Sequence, residues 1–294
     1  METRKVQKTN NMHYVYMPTS WCKKHQITSK SRVNLKENSS GALMISPTET
    51  KAILKDLEIN LDEEDQDVIN KLIIACYLNP LGSFKINLKK ELTAKKLLNQ
   101  KNIISLESVE IDKKTISCDS TVTLSEPGLL LKTMVKKIKN LSVVLVQNYN
   151  IDLINRYEEE IDRSKMLIQK SIINYMTMTV PVNLKMIDLY YISLITVDLE
   201  RMVDYMIQLK KTDKDFLEKI SGVIDLLKKM MESLDTKSKI TKFTHINAIE
   251  FVKTVKILGE PSNKEENYSK RRIADLMSNI SEIILDWSIT NQID

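Results

Sequence analysis

Two acidic side chains in the second half of the chain lie one helical turn apart. Glu200 and Asp204 belong to the run Asp-Leu-Glu-Arg-Met-Val-Asp at residues 198–204, and a spacing of four residues places both carboxylates on one helical face. Carboxylates this close repel each other unless a cation lies between them, and such oxygen ligands suit Mg, Mn or Fe. Acidic pairs are also common on solvated helices, so the residues alone leave open whether this pair binds a metal or only faces water.

The elements that must hold this pair are helices, since apolar residues recur at helical spacing through the second half of the chain. Six such segments are predicted in two groups of three, and each group is expected to form an antiparallel three-helix bundle. The two bundles are assigned to residues 126–210 and 211–294. Glu200 and Asp204 lie on the third helix of the first group, and the sixth helix carries Arg-Arg-Ile-Ala-Asp at residues 271–275.

The beginning of the chain, assigned to residues 1–47, predicts a small β-rich module. A strand, an Asn-Asn turn, a second strand ending at Pro18, a short helix through Lys24 and a hairpin around the loop 37–41 follow one another. Below about 40 residues, a domain usually needs disulfides, a metal or oligomerisation to be stable. The module has no disulfide or metal-binding pattern, so we expect it to dimerise.

Positive charge is concentrated in this module. Residues 1–36 contain eight Lys or Arg and one acidic residue, a net charge of +7, while the whole chain carries +5, so the other 258 residues sum to −2. A positive field confined to one small unit is what contact with the phosphate backbone of DNA requires. Charge alone fits an ordinary solvated basic terminus equally well, and it is the order of strands, turn and helix that favours DNA.

The stretch 48–125 predicts a small α/β unit with the order β-α-β-α-β-β. Apolar and polar residues alternate at 57–61 and at 84–88, which predicts two strands. A short helix is predicted at 91–100, and a strand pair is predicted within 105–122. The segment contains neither a glycine-rich phosphate loop nor a convergent set of catalytic residues. A spacer or dimer-supporting role is therefore favoured over ligand binding.

The composition suits helices better than β-sandwiches, because 42% of the 294 residues are hydrophobic while only 5% are aromatic and five are glycine. Together with the strands predicted above, it gives the fold class α+β, mainly α. Cys22, Cys76 and Cys118 are too far apart in sequence to form a zinc or redox motif. No nucleophile, base and orienting residue can be assigned together, so we do not expect an enzyme. No apolar run approaches the roughly 20 residues of a bilayer span and no signal peptide is apparent, so we expect a cytoplasmic protein without membrane insertion.

The basic module resembles the AbrB/SpoVT swapped-hairpin domain, and more closely the version found at the front of archaeal PhoU-like regulators. The residues that fall on the pattern are Arg4, Lys5, Pro18, Trp21 and Val33. Two places depart from it: Asn-Asn at residues 10–11 replaces the usual glycine, and Lys-Ser-Arg at 30–32 replaces Gly-Asp. Members of this family dimerise by interleaving hairpins and bind DNA through basic side chains, and the resemblance implies both here.

The helical half resembles PhoU-type bundles. Leu-Glu-Arg-Met-Val-Asp at 199–204 is similar to the signature Leu-Glu-Arg-Ile-Gly-Asp, and Arg-Ile-Ala-Asp at 272–275 is similar to its second copy. In that family these acidic motifs bind metal, and the second helix supplies further acidic residues. The resemblance therefore implies a divalent metal or iron bound by some or all of Glu200, Asp204, Asp275, Glu159 and Asp162. Arg271 replaces the acid of the second motif, and because a guanidinium pairs with carboxylates instead of binding metal, a salt bridge could replace the second site.

Together these features predict a homodimeric, PhoU-like transcription regulator of phosphate uptake. The residues expected to contact DNA are Arg4, Lys5, Lys8, Lys23, Lys24 and Arg32. The resemblance also implies a phosphate-transporter ATPase or a sensor protein as a partner of the helices. The alternative is a signalling adaptor that binds such a partner through the bundles and uses the first module only to dimerise. The two hypotheses differ in whether the basic residues of the first module are needed for the function of the protein.

Overall fold

In the computed structural model, contacts between residues divide the chain into two units, Met1–Ile53 and Leu54–Asp294. The structure describes residues 3–37, 41–47, 54–91, 109–112, 114–119, 125–177, 184–232, 244–259 and 268–293. The fold is α+β and mainly helical, as the composition predicts. The expected boundary after residue 47 adjoins residues 48–53, which lie outside the described residues.

The first unit contains two separate antiparallel hairpins and a short helix. Its elements are β1 (Gln7–Thr9), β2 (Met12–Tyr14), α1 (Thr19–Lys24), β3 (Val33–Glu37) and β4 (Leu43–Pro47). β1 pairs with β2 and β3 pairs with β4. Asn10 has a φ of +54°, in the left-handed region that asparagine tolerates, which confirms the predicted turn. The exchange of hairpins between two chains stays a prediction.

The second unit begins with a four-stranded mixed sheet. Its elements are β5 (Lys55–Leu61), α2 (Gln66–Leu78), β6 (Leu81–Leu88), β7 (Val109–Ile111) and β8 (Thr115–Asp119). The strand order is β5-β6-β8-β7, with β5 and β6 parallel and the remaining pairs antiparallel. The parallel pair is joined by α2, as a crossover connection requires. Ile73 of α2 packs with Ile86 and Ile116 of the sheet, and all three are fully buried.

Part of the predicted α/β unit lies outside the described residues. This applies to residues 92–100 of the predicted short helix, to 105–108 of the predicted third strand, and to 120–122 at the end of the fourth. The described parts of those two strands pair with each other in antiparallel fashion, with Glu110 opposite Ser117.

Six long helices complete the second unit. They are α3 (Pro127–Gln147), α4 (Ile151–Thr177), α5 (Met186–Met206), α6 (Lys214–Glu232), α7 (His245–Val255) and α8 (Tyr268–Ile293). Consecutive helices pack together within each predicted group, but α3 also packs against α6 and α5 against α8. All six therefore share one continuous hydrophobic core, where the sequence predicted two separate bundles. Among the described helices, none has the length and apolarity that crossing a membrane requires.

Helix α4 packs both in the helical core and against the mixed sheet of the second unit. Its Met166 packs into the core of the sheet, and the Lys170 ammonium lies 3.8 Å from the centre of the Tyr77 ring on α2. A cation over an aromatic face is a favourable contact. Helix α4 thus contributes side chains to two cores within the unit Leu54–Asp294, and the finer division of this unit into domains stays a prediction.

Candidate cation site and candidate nucleic-acid interface

Three of the five predicted metal ligands meet between α4 and α5. One carboxylate oxygen from each of Asp162, Glu200 and Asp204 lies within 4.8 Å of the others, and all three residues are half-buried. The geometry follows from the antiparallel packing of the two helices: α5 presents Glu200 and Asp204 on one face, and Asp162 of α4 faces them. The i, i+4 pair was visible in the sequence, while its third member came from the family resemblance.

The carboxylates of this cluster destabilise one another in their charged forms. Burial, together with the charges of Glu200 and Asp204, raises the pKa of Asp162 to about 6. Burial and the Glu200 charge also raise the pKa of Asp204 above its ordinary value. The charge of Glu158 acts in the same direction on both groups. Such shifts occur where like charges are held together with limited access to water.

One ammonium group partly offsets this repulsion. Lys165, one turn beyond Asp162 on α4, places its Nζ 2.7 Å from the Oε1 of Glu200. The Lys165 charge also lowers the pKa values of Asp162 and Asp204 against the larger effects that raise them. The three carboxylates of the cluster thus share the charge of Lys165. The pocket retains an excess of negative charge, which favours the uptake of a proton or a cation.

The cluster fits a hard or borderline divalent cation. Three carboxylate oxygens from two helices provide ligands of the type that Mg²⁺, Mn²⁺ and Fe²⁺ prefer, and partial exposure leaves room for water molecules in the other positions. Asp162, Glu200 and Asp204 are the residues that would hold such an ion. A second positive charge beside Lys165 would relieve the repulsion that raises the pKa of Asp162.

The other two predicted ligands are not part of this group. On α4 it is the charge of Glu158, one turn before Asp162, that acts on the cluster, and the structure does not bring Glu159 into it. Asp275 lines a groove between α7 and α8, where its Oδ2 lies 3.6 Å from Arg272. The salt bridge expected of Arg271 is not found among the described residues, and Arg272 pairs with Asp275 instead. Sequence reasoning missed Glu158 and Lys165, although both lie one turn from Asp162.

The six side chains predicted to contact DNA are all exposed. Arg4 and Lys5 precede β1, Lys8 lies within β1, Lys23 and Lys24 form the last turn of α1, and Arg32 directly precedes β3. In the first hairpin Lys8 pairs with His13, whereas Met12 and Tyr14 occupy the alternate positions of β2. Because side chains alternate across a strand, one face of this hairpin carries the positive charge and the other carries apolar groups.

The first unit lacks a hydrophobic core of its own. Among residues 3–35, 37 and 41–47, whose burial the structure describes, not one is buried. Leu35 is 63% exposed, Leu43 61% and Tyr16 65%. Leu35 and its cross-strand partner Ile45 lie on the same face of the second hairpin as Leu43. An isolated two-stranded hairpin is at best marginally stable, so these apolar faces need a covering surface.

Comparison of the chain with known protein families, with curated proteins and with solved structures finds no match.

Proposed function

We propose that this chain is a homodimeric, DNA-binding transcription regulator of phosphate uptake, similar in plan to the archaeal PhoU-like regulators. In this proposal the first unit binds DNA, and the helical body responds to a divalent cation. The observation that carries the proposal is a strongly basic unit in which many large apolar residues, among them Leu35, Leu43 and Tyr16, are exposed. The resemblance of residues 199–204 and 272–275 to the PhoU motifs connects the proposal with phosphate uptake.

Dimerisation follows from the exposed apolar residues of the first unit. Leu35, Leu43 and Ile45 lie together on one face of the β3–β4 hairpin, and Met12 and Tyr14 share a face of the β1–β2 hairpin. Large exposed apolar surfaces on soluble proteins mark interaction sites. A second copy of the same unit offers matching apolar faces, so both copies would gain the core that each lacks.

DNA binding follows from the placement of the positive charges. Lys8 shares a hairpin face with His13, away from Met12 and Tyr14, so the charge stays exposed when the apolar face is covered. Lys23 and Lys24 are exposed at the end of α1. Flexible exposed cations of this kind neutralise backbone phosphates and release counterions.

The cation cluster is the candidate for the sensing site. Asp162, Glu200 and Asp204 would bind the ion, whose charge would supply the electrostatic compensation that Lys165 provides only in part. Helix α4, which holds Asp162, also places Met166 and Lys170 against the sheet. A change in the electrostatic balance around Asp162 therefore acts on a helix that is packed in two cores.

The test is DNA binding measured by fluorescence anisotropy across a salt series, using labelled DNA from upstream of the protein's own gene. The variant Lys8→Gln/Lys23→Gln/Lys24→Gln is compared with the control Lys71→Gln/Lys219→Gln/Lys253→Gln, which neutralises three exposed lysines of the second unit. Each lost phosphate contact should lower the magnitude of the slope of log K against log salt by about 1. The first variant loses three lysines in each copy of the proposed dimer, so its slope should fall by about 6.

The control should bind DNA with the affinity and salt slope of the unaltered protein. Equal losses in the two variants would show a nonspecific effect of net charge and contradict the proposed interface. Salt-independent or undetectable binding by the unaltered chain would reject DNA binding and favour the adaptor hypothesis, in which the first unit only dimerises.

A further inference from the structure

A groove of about 500 Å³ runs between α7 and α8, on a part of the helical body that the candidate cation site does not use. Its walls come from the end of α7, the short turn after it and the outer face of α8. The lining residues that matter here are Val255, Lys256, Arg271, Asp275, Ser278 and Glu282. The volume lies within the range of small-molecule sites.

The charged groups of this groove are separated into two ends. Helices α7 and α8 run antiparallel, since His245 at the start of α7 contacts Gln292 at the end of α8. Lys256 and Arg271 therefore lie at one end of the groove. Glu282 lies eleven residues further along α8, a rise of about 16 Å, and marks the other end.

Among the described residues, three of these charges have no partner. Within the described part of the chain, the side chains of Lys256, Arg271 and Glu282 take part in no hydrogen bond or ion pair. The remaining charge, Asp275, is offset by Arg272 at 3.6 Å. Two unpaired cations at one end and one unpaired carboxylate at the other suit a ligand that is anionic at one end and carries hydrogen-bond donors at the other.

The corresponding helices of the first group carry different charges at the matching positions. There α5 presents Glu200 and Asp204 four residues apart towards α4, which adds Asp162. Here α8 presents Arg271 and Asp275 with the same spacing, and the α7 side adds Lys256. A carboxylate of the cation cluster is thus replaced by a guanidinium, and the short turn after α7 contributes an ammonium. A guanidinium matches the geometry of a phosphate or carboxylate in a bidentate fashion and cannot bind a metal.

We infer that this groove binds a small phosphorylated metabolite, with its phosphate between Arg271 and Lys256 and its amino or hydroxyl donors towards Glu282. The inference is independent of the proposed DNA binding. Val255 and Ala274 supply an apolar wall between the two ends, and the unbonded hydroxyl of Ser278 offers a further contact. The second group of helices would then bind an anion where the first binds a cation.

The test is isothermal titration calorimetry of the full-length protein with adenosine monophosphate, inorganic phosphate and adenosine at one ionic strength. Arg271→Gln and Lys256→Gln should each weaken adenosine monophosphate binding about ten- to a hundredfold, the effect of losing a hydrogen bond to a charged group. Glu282→Gln should weaken adenosine monophosphate but leave inorganic phosphate unchanged. The control Lys253→Gln alters an exposed lysine of α7 outside the groove and should change neither.

Several outcomes would overturn the inference. One is adenosine monophosphate binding that is equally tight in Arg271→Gln and the unaltered protein. Another is the absence of binding by both phosphate compounds. Binding of inorganic phosphate alone would overturn the assignment of a metabolite, and equal binding of adenosine would show that the phosphate is not what the groove recognises. Because these measurements contain no DNA, they are unaffected by the outcome of the DNA-binding test.

Discussion

The indole Nε1 of Trp287 donates a hydrogen bond of 2.7 Å to the Oδ1 of Asp188 in the interior of the helical body. The other oxygen of the same carboxylate accepts the backbone N–H of Lys185 at 2.8 Å, at the beginning of α5. Asp188 is 1% exposed and Trp287 is fully buried. One carboxylate thus caps α5 and ties it to α8, which belong to different predicted groups of helices. Buried charge is tolerated because both of its oxygens are hydrogen-bonded.

Replacing the indole should destabilise the second unit. Trp287→Phe removes the donor and leaves one oxygen of a buried carboxylate unpaired, and it also opens a small cavity. We expect a loss of about 2–4 kcal/mol in the free energy of unfolding, measured by urea denaturation. Ile289→Ala, at a 44% exposed position on the same helix, is the control and should change stability by about 0.5 kcal/mol or less. Equal effects of both variants would contradict this role for the hydrogen bond.

The stability of the protein without divalent cations should fall as the pH rises through the titration of Asp162. Its pKa is raised from 3.8 to about 6 in the folded state. Between these values the folded state binds more protons than the unfolded state, so stability decreases with increasing pH. Asp162→Asn removes this dependence and should be more stable than the unaltered protein by about 1–2 kcal/mol above about pH 7, after allowance for screening by solvent.

The measurement is urea denaturation in the presence of a chelator over a range of pH. The advantage of Asp162→Asn should disappear in acid, where Asp162 is protonated in both states. Asp152→Asn, a control on the exposed first turn of α4, should show the pH dependence of the unaltered protein. A constant difference between Asp162→Asn and the unaltered protein at every pH would show that the substitution acts through packing and not through charge.

The periodicity of the sequence predicts the six helices and the face that Glu200 and Asp204 share, because both depend only on local spacing. It does not predict how α4 is rotated about its axis. Because of that rotation Asp162 belongs to the cluster and Glu158, four residues before it, acts on the cluster through its charge. Glu159 does not join the cluster. Tertiary packing sets the rotation of α4 relative to α5, and the local spacing of acidic residues does not predict it.

The sequence also does not predict which helices pack against each other. Apolar stripes show that a helix is packed on one side, but they do not say against which neighbour. The Asp188–Trp287 hydrogen bond joins residues 99 positions apart, and it connects α5 to α8 across the two groups. The position of Asp275, in a groove between α7 and α8, depends on how these two helices pack. The sequence therefore predicted the elements and one half of the cation cluster, and the shared core only became apparent in the structure.

Divalent cations should stabilise the protein through the cluster of Asp162, Glu200 and Asp204. At a Mn²⁺ concentration about 100 times its Kd, mass action adds about 2.7 kcal/mol to the free energy of unfolding. Asp204→Asn should abolish most of this gain, because it removes one of three ligands. Asp275→Asn, outside the cluster, is the matched control and should retain it. Stabilisation by Mn²⁺ that persists in Asp204→Asn but is lost in Asp275→Asn would place the cation between α7 and α8.

A charge on the apolar face of the second hairpin should prevent dimerisation. Leu35 is 63% exposed in the single chain and lies opposite Ile45 on β4. If a second copy covers this face, Leu35→Asp buries an unpaired carboxylate in the interface, which costs several kcal/mol and favours the monomer. Light scattering coupled to size-exclusion chromatography should show a dimer for the unaltered protein and a monomer for this variant.

The control for this measurement is Ile246→Asp, at a residue of α7 that is similarly exposed, at 64%. It adds the same charge to the second unit and should remain dimeric. A monomeric unaltered protein would reject dimerisation, and it would then leave Leu35 and its neighbours without the covering surface that their exposure requires. A monomer produced only by Ile246→Asp would place the dimer contact on the helical body and contradict dimerisation through the second hairpin.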